Sequence, residues 1–147
     1  MELVDSDNKE TYANYKQFSV AGELEGYALK TVGGFSGTAE NGLRYHAGMK
    51  FTTKDKDQDP YVHDTGNCAQ SFSKWSWNST VLVNCDGTDG DYFIAGAWWY
   101  NKCHQSQLTG VYTEKKDKYK GLRWGERFFL KKARMLIRPQ MDSDLVL

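Results

Sequence analysis

The stretch from Lys54 to Gly110 places the strongest constraints on how this chain can fold. It begins with an acidic run, KDKDQD at residues 54–59, in which a carboxylate occupies every second position. It ends with an aromatic run, GAWWYNKCH at residues 96–104, that closes on a cysteine and a histidine. Between the two runs, Cys68 supplies a sulfur that could join them. A candidate cation loop, a candidate disulfide and a candidate aromatic pocket therefore lie in one segment.

The composition favours a single domain that is rich in strands and loops. The chain has 147 residues, enough to bury a real core, with 14 glycines, 5 tryptophans and only 2 prolines. Its 19 basic and 19 acidic residues cancel, which argues against a nucleic-acid-binding protein. No apolar run approaches the roughly 18–20 residues of a membrane span.

The cysteines indicate an oxidising compartment. The three cysteines are not arranged as a CxxC pair, and the three histidines do not complete a zinc site with them. One disulfide with one cysteine left over is the better interpretation, and disulfides are typical of exported proteins. The first twenty residues lack the basic start and apolar stretch of a signal peptide, so we expect that Met1 is not the natural start of the domain.

The acidic run at residues 54–59 has two interpretations. Alternating carboxylates often form a solvated turn, but calcium binds carboxylates and backbone carbonyls of irregular loops. An EF-hand is excluded, because Pro60 stands where that loop needs glycine and Gly66 where it needs glutamate. Pro60 and Gly66 do supply turn chemistry, so calcium in a loop of another type is plausible.

Several further motifs admit a structural and a functional interpretation. Asn78 begins the sequon Asn-Ser-Thr, which is either glycosylated or unused, and residues 86–91 form a second acidic turn. The aromatic side chains at 98–100 are expected to fill the core rather than to stack on a ligand. Cys103 and His104 are adjacent and point to opposite sides of an extended chain, which disfavours a catalytic dyad. Paired carboxylates of a hydrolase have no spacing signal here, so we expect no enzyme.

Five segments have the pattern of strands, and one of them is the apolar run at 81–83. One lies between Met1 and Val20, and a second covers 27–32 before Gly33 and Gly34 break it into a turn-rich loop. A short strand is predicted at 49–52 and a closing strand at 135–139.

Seven motifs, in this order, resemble a fibrinogen C-terminal globular domain, as found in fibrinogen-related lectins such as ficolins and tachylectins. They are GFSGTA (34–39), GMKFTTKDKD (48–57), NCA (67–69), GAWWYNKCH (96–104), LTGVY (108–112), GLRW (121–124) and MLIRP (135–139). The resemblance covers the C-terminal two-thirds of such a domain. It implies an α+β fold, with a small antiparallel sheet and a large loop-rich region that binds calcium and ligand. Residues 1–139 would form this partial domain without its N-terminal subdomain, about 71–94 would be an insertion, and 140–147 a tail.

The resemblance also implies a metal site and a disulfide. Calcium would be held by the side chains of Asp57 and Asp59 and by backbone carbonyls, for which Tyr61 and His63 are the best candidates. Asp55 would give local support. The family's late disulfide would pair Cys68 with Cys103, which leaves Cys85 as an unpaired thiol in the insertion.

A ligand pocket is implied beside the calcium loop. Its floor would include His104, and the peptide bond between Cys103 and His104 is cis in the family. Tyr119 and Phe72 are the candidate aromatic walls, which would accept the methyl of an acetyl group. Two asparagines that usually follow the histidine are replaced in SQLTG at residues 106–110.

These resemblances lead to an expected function. The domain would be a secreted, calcium-stabilised lectin of the innate-immune kind that binds acetylated sugars such as N-acetylglucosamine, glycosylated at Asn78. It would belong to a full-length protein that is a possible homo-oligomer. The alternatives are a protein-binding module for a receptor or matrix partner, and a truncated product without binding activity.

Overall fold

Two small antiparallel sheets organise the chain in the computed structural model, which describes residues 1–62, 67–69, 96–110, 122–125, 127–128 and 130–139. The strands are β1 (Glu2–Asp5), β2 (Glu10–Val20), β3 (Leu29–Gly37), β4 (Ser106–Gln107), β5 (Arg123–Trp124), β6 (Arg127–Phe128) and β7 (Leu130–Arg134). Two 3₁₀ turns, Glu23–Glu25 and Arg44–His46, are the helical elements of the described residues. The predicted small antiparallel sheet with a loop-rich remainder is confirmed.

The larger sheet has the order β3-β2-β1-β7, and all its pairs are antiparallel. The first and last strands of the chain are neighbours in this sheet, since Glu2 pairs with Arg134 and Val4 with Lys132. The smaller sheet has the order β4-β5-β6, and it follows the aromatic run. In the sequence, the segment that contains the candidate site therefore lies between β3 of the larger sheet and β4 of the smaller sheet.

The core collects the apolar side chains of both sheets and of the aromatic run. Its buried members are Leu3, Ala13, Leu29, Ala39, Leu43, Cys68, Ala69, Trp98, Trp99, Tyr100, Cys103, Trp124 and Leu130. The indole N–H of Trp124 donates to the Glu40 carbonyl at 2.8 Å, so even this fully buried ring keeps its polar atom satisfied.

The first twenty residues form two strands rather than the one predicted. Asp5 and its neighbours make a tight turn, in which the Asp5 carboxylate accepts the backbone N–H groups of Asp7 at 3.0 Å and Lys9 at 2.9 Å. Asn8 adopts the left-handed conformation with φ of 63°, which asparagine tolerates well. These side-chain contacts reverse the chain between β1 and β2.

The predicted break at Gly33 and Gly34 is wrong, because β3 continues to Gly37. Pairing with β2 carries the strand through the glycines: Gly33 lies opposite Gln17 and Phe35 opposite Tyr15. Cross-strand hydrogen bonding here overrides the weak strand preference of glycine.

Two other predicted strands are displaced. Of residues 49–52, Thr52 alone forms a β-bridge, to Trp98. The closing strand ends at Arg134, before the predicted range 135–139, because its partner β1 is only four residues long. Leu136 and Ile137, which follow, are 61% and 68% exposed. They border a groove of about 790 Å³ beside β1 and β2.

A substitution at Gly37 tests whether the end of β3 lies directly against the β2 backbone. An added Cβ there would lie 2.2 Å from the Tyr12 carbonyl oxygen, and φ is 155°. We expect Gly37→Ala to lower the free energy of unfolding by about 3 kcal/mol, measured by urea denaturation. The matched control is Gly22→Ala, where nothing lies within 4 Å, and we expect a change within about 0.5 kcal/mol. Equal effects of the two substitutions would contradict this path.

Candidate functional site

A buried histidine that the sequence analysis did not identify holds the aromatic run in place. The Nδ1 atom of His46 lies 2.7 Å from the Trp99 carbonyl oxygen. Its Nε2 atom accepts the backbone N–H groups of Ser106 at 3.1 Å and Gln105 at 3.4 Å. A carbonyl can only accept and a backbone N–H can only donate, so His46 is the neutral tautomer with its proton on Nδ1.

Burial keeps His46 neutral. It lowers the pKa of the imidazole to about 4, although the hydrogen bond to the Trp99 carbonyl acts in the opposite direction. The rings of Tyr45 and Trp98 meet it edge to face, with centroids 5.3 and 6.2 Å away. A single histidine in the sequence carries no spacing signal that links it to a carbonyl 53 residues away.

The disulfide between Cys68 and Cys103 is present, as the resemblance implied. The two Cα atoms are 5.4 Å apart, and both residues are buried. The Cys103 sulfur is therefore oxidised and cannot serve as a nucleophile. The disulfide places His104 directly beside the loop that carries Cys68.

The expected cis peptide bond before His104 is not found, since every peptide bond in the described part of the chain is trans. Cys103 instead adopts φ of 40°, in the left-handed region. The turn is closed by a hydrogen bond from the Asn101 N–H to the Cys103 carbonyl at 2.9 Å. The Asn101 side chain also donates to the Tyr45 carbonyl at 3.1 Å, so the surroundings enforce this turn without a cis bond.

His104 is partly buried and neutral. Burial lowers its pKa to about 3, and the positive charge of Arg123 and the neighbouring His46 ring act in the same direction. The Tyr100 ring lies against it, with centroids 6.2 Å apart and planes at 71°. The imidazole therefore offers an uncharged polar surface.

The acidic run is tied to the disulfide through one carboxylate. One oxygen of Asp59 accepts the backbone N–H of Cys68 at 3.0 Å, and the other accepts that of Tyr61 at 3.0 Å. Asp57 in turn accepts the N–H of Asp59 at 3.2 Å. The two predicted calcium ligands thus lie side by side.

Two neighbouring side chains fix the shape of this loop. The Asn67 side chain donates to the Thr53 carbonyl at 3.0 Å and accepts the N–H of Ala69 at 2.7 Å. Asp55 is exposed and accepts the Thr53 hydroxyl at 2.7 Å, which lowers the pKa of its carboxyl. Asp55 therefore holds the start of the loop through its bond to Thr53.

The loop carries unfavourable charge. Burial raises the pKa of Asp59, and the neighbouring charge of Asp57 raises it further, against the two backbone N–H groups that lower it. Burial also raises the pKa of Tyr100, to which the charge of Asp59 adds. A cation placed between Asp57 and Asp59 would relieve this repulsion.

These atoms fit a hard, oxygen-seeking cation such as calcium. Two carboxylates and the backbone carbonyl of Tyr61 are oxygen donors of the kind that calcium prefers. No group of three histidine, cysteine or acidic side chains suited to a metal occurs in the described residues. Oxygen donors of this kind suit calcium better than a transition metal such as zinc.

The aromatic run fills the core, as predicted. Trp98, Trp99 and Tyr100 are each at most 8% exposed. Trp99 packs against Phe51 with ring centroids 5.1 Å apart, and its indole N–H donates to the Tyr27 carbonyl at 2.8 Å. These rings therefore form the core next to the Cys103–His104 turn, and they are not the walls of a ligand pocket.

Several predicted features lie outside the described residues and stay predictions. They are His63, Phe72, Asn78, Cys85, Tyr119, the 71–94 insertion and the 140–147 tail.

The chain matches one protein-family model over nearly its whole length. The family model for the C-terminal globular domain of fibrinogen beta and gamma chains matches residues 1–94 and 89–140. The chain belongs to this family. The match begins at the first residue and therefore includes β1 and β2, which precede the first of the seven motifs.

Named relatives agree with this membership. The chain is 38% identical to fibrinogen C domain-containing protein 1 of Macaca fascicularis over 97% of this chain and 30% of that protein. It is 32% identical to ryncolin-4 of Cerberus rynchops over 99% of this chain and 37% of that protein. The chain thus spans about a third of the length of these relatives.

Solved structures share the fold. The fibrinogen-like globe domain of human ANGPTL2 superposes with a TM-score of 0.64 at 30% identity, over 88% of this chain and 52% of that chain. A lamprey fibrin D-dimer, solved with the peptide Gly-His-Arg-Pro-amide, superposes with a TM-score of 0.61 at 24% identity, over 97% of this chain and 48% of that chain. Across the described ranges, no helix is long and apolar enough to cross a membrane.

The neutral state of His46 predicts sensitivity to acid. Its pKa is about 6.5 when unfolded and about 4 when folded, so the unfolded chain binds more protons between these values. The contribution of His46 to the free energy of unfolding is complete above pH 6.5 and is lost as the pH drops towards 4. We expect His46 to account for a loss of about 2 kcal/mol between pH 7 and pH 5.

Urea denaturation at both pH values measures this loss. His46→Gln is the comparison: it should be less stable at pH 7 but lose about 2 kcal/mol less than the wild type on acidification. Parallel losses in the two proteins would show that His46 is not the titrating group.

The disulfide predicts a second loss of stability. The cysteines are 35 residues apart, and removing a cross-link of this span costs about 3–4 kcal/mol by loop-closure entropy. We expect the double variant Cys68→Ser, Cys103→Ser to lose this amount in urea denaturation. Cys85→Ser is the matched control and should leave the free energy of unfolding within about 1 kcal/mol of the wild type.

Proposed function

We propose that this domain is a calcium-stabilised extracellular recognition module that binds acetylated carbohydrates. The observation that supports it most is the chain of contacts from the acidic loop to His104. Asp59 accepts the N–H of Cys68, and Cys68 is bonded to Cys103, the residue before His104. Any ion that orders Asp59 would therefore act on the geometry of the histidine.

The chemistry of His104 suits a neutral, polar ligand. An imidazole with a pKa of about 3 stays uncharged at neutral pH and can exchange hydrogen bonds with an amide or hydroxyl group. The methyl of an acetyl group needs an apolar wall, for which Tyr119 and Phe72 are the candidates. This combination is typical of a site that selects an acetamido group.

Calcium would have a structural role in this proposal. The side chains of Asp57 and Asp59 would hold it, with the backbone carbonyls of Tyr61 and His63. When bound, the ion would offset the burial of the Asp59 carboxylate and its repulsion from Asp57, both of which raise the pKa of Asp59. The sugar would contact the pocket and not the ion.

An extracellular location follows from the same elements. The Cys68–Cys103 disulfide is of a kind that persists in oxidising compartments. We propose a binding role without catalysis, because Cys103 is consumed by the disulfide.

Retention on immobilised N-acetylglucosamine tests the proposal. The protein should be retained in calcium, released by chelation, and released by free N-acetylglucosamine but not by glucosamine, which lacks the acetyl group. Flow-through in calcium, from a sample shown to be folded by circular dichroism, would refute sugar binding. It would favour a protein partner instead.

The metal assignment is tested by matched substitutions. We expect Asp57→Asn and Asp59→Asn each to weaken calcium binding at least 10-fold in isothermal titration calorimetry, because each removes a charged oxygen donor. Glu23→Gln removes the same charge from an exposed carboxylate outside the loop and should change the affinity less than 3-fold. An equal loss in all three variants would overturn the assignment.

A further inference from the structure

Exposed apolar side chains gather at two places in the described part of the chain. One is the end of the β2–β3 hairpin, where Val20 and Tyr27 are exposed and Leu24 is fully exposed. The other is the groove beside β1 and β2, which Leu136 and Ile137 border. Single exposed apolar residues are ordinary, whereas grouped ones are typical of surfaces that bind another macromolecule.

The hairpin end, residues 20–27, is a knob that the core holds in place. The Phe51 N–H donates to the Gly26 carbonyl at 3.0 Å, and the Trp99 indole N–H donates to the Tyr27 carbonyl at 2.8 Å. The apolar side chains of the knob are therefore presented by a backbone that is ordered before any partner binds. A preordered surface loses less conformational entropy on association.

The groove has an apolar floor that suits such a knob. Its lining includes Tyr15, Phe18 and Met135, which are partly buried against the core. No residue of the knob lines the groove of its own chain. A knob that fills the groove would therefore come from a second copy.

The knob is acidic. Glu23 and Glu25 stand on either side of Leu24, and both are exposed. Lys30 forms an ion pair with Glu25 in the same chain, so Glu23 is the carboxylate that this ion pair leaves uncompensated.

The groove is basic. Lys16 and Arg138 line it and are exposed. The acidic side chain that also lines it, Glu2, forms an ion pair with Arg134 and so is already compensated. The charges that remain in the groove are opposite to the charge that remains on the knob, as is common between surfaces that associate.

We propose that the groove of one copy binds the knob of a second copy, so that the domain self-associates. Leu24 would enter the apolar floor, while Glu23 would lie near Lys16 and Arg138. The contact joins two different surfaces of the same chain, so it is heterologous. It is independent of the proposed sugar site, because neither surface includes His104.

Sedimentation velocity of the full chain over a wide range of concentration measures this association. We expect Leu24→Asp and Ile137→Asp each to raise the dissociation constant at least 10-fold, because each places a charge in the apolar centre of the contact. Val62→Asp is the matched control: Val62 is 85% exposed but lies outside both surfaces, and the change should be less than 2-fold. Circular dichroism checks that each variant is folded.

A mixing experiment tests whether the two surfaces are partners. The Leu24→Asp protein keeps an intact groove, and the Ile137→Asp protein keeps an intact knob. An equimolar mixture, with one variant fluorescently labelled, should therefore associate more tightly than either variant alone. A contact between two like surfaces would not be restored in this way.

Charge reversal tests the electrostatic part of the contact. Glu23→Arg and Arg138→Glu should each weaken the association at least 3-fold, and the double variant should recover most of the loss. Added salt should weaken the wild-type association, because it screens exposed charges.

Two results would overturn the proposal. One is association that persists in folded Leu24→Asp and Ile137→Asp proteins. The other is a wild-type chain that stays monomeric at every concentration. If a variant ending at Pro139 then associates, the segment after Pro139 occupies the groove in place of a second copy.

Discussion

The hydrogen bonds of His46 fix the part of the chain on which the site depends. Its Nδ1–H holds the Trp99 carbonyl and its Nε2 holds the Ser106 N–H, so one ring clamps both ends of the segment that contains Cys103 and His104. Only a side chain with one donor and one acceptor on opposite sides of a rigid ring can do this. Protonation would turn the acceptor into a second donor facing an N–H, so the clamp exists only in the neutral state.

The site joins two regions of opposite charge through one covalent link. On the Cys68 side, Asp57 and Asp59 lie together, and burial raises the pKa of Asp59, to which the charge of Asp57 adds. On the Cys103 side, His104 is neutral and lies within the field of Arg123. The disulfide keeps these regions next to each other at a Cα separation of 5.4 Å, without requiring that their charges attract. In the function proposed above, an ion on the Asp59 side would order the loop while a ligand is bound at His104.

The sequence supports the general architecture better than the position of each strand. Alternating polar and apolar residues indicated strands near the amino terminus, and groups of glycines and other turn-forming residues indicated turns. The break at Gly33 was wrong because pairing with β2 determines the path, and the closing strand was misplaced because β1 is too short to reach residues 135–139. Both errors concern partners that are distant in sequence, which local patterns cannot specify.

The same limit applies to the site. The cysteines stood in recognisable motifs, so the disulfide could be predicted by resemblance, and the proposal of Asp57 and Asp59 as calcium ligands has the same origin. His46 and Arg123 could not, because their roles arise from contacts with residues 99 and 106 and with His104 after folding. At position 107 the sequence shows only that glutamine replaces asparagine. The burial of Gln107, and its position opposite Arg123 in the small sheet, likewise depend on strand pairing that exists only in the folded chain.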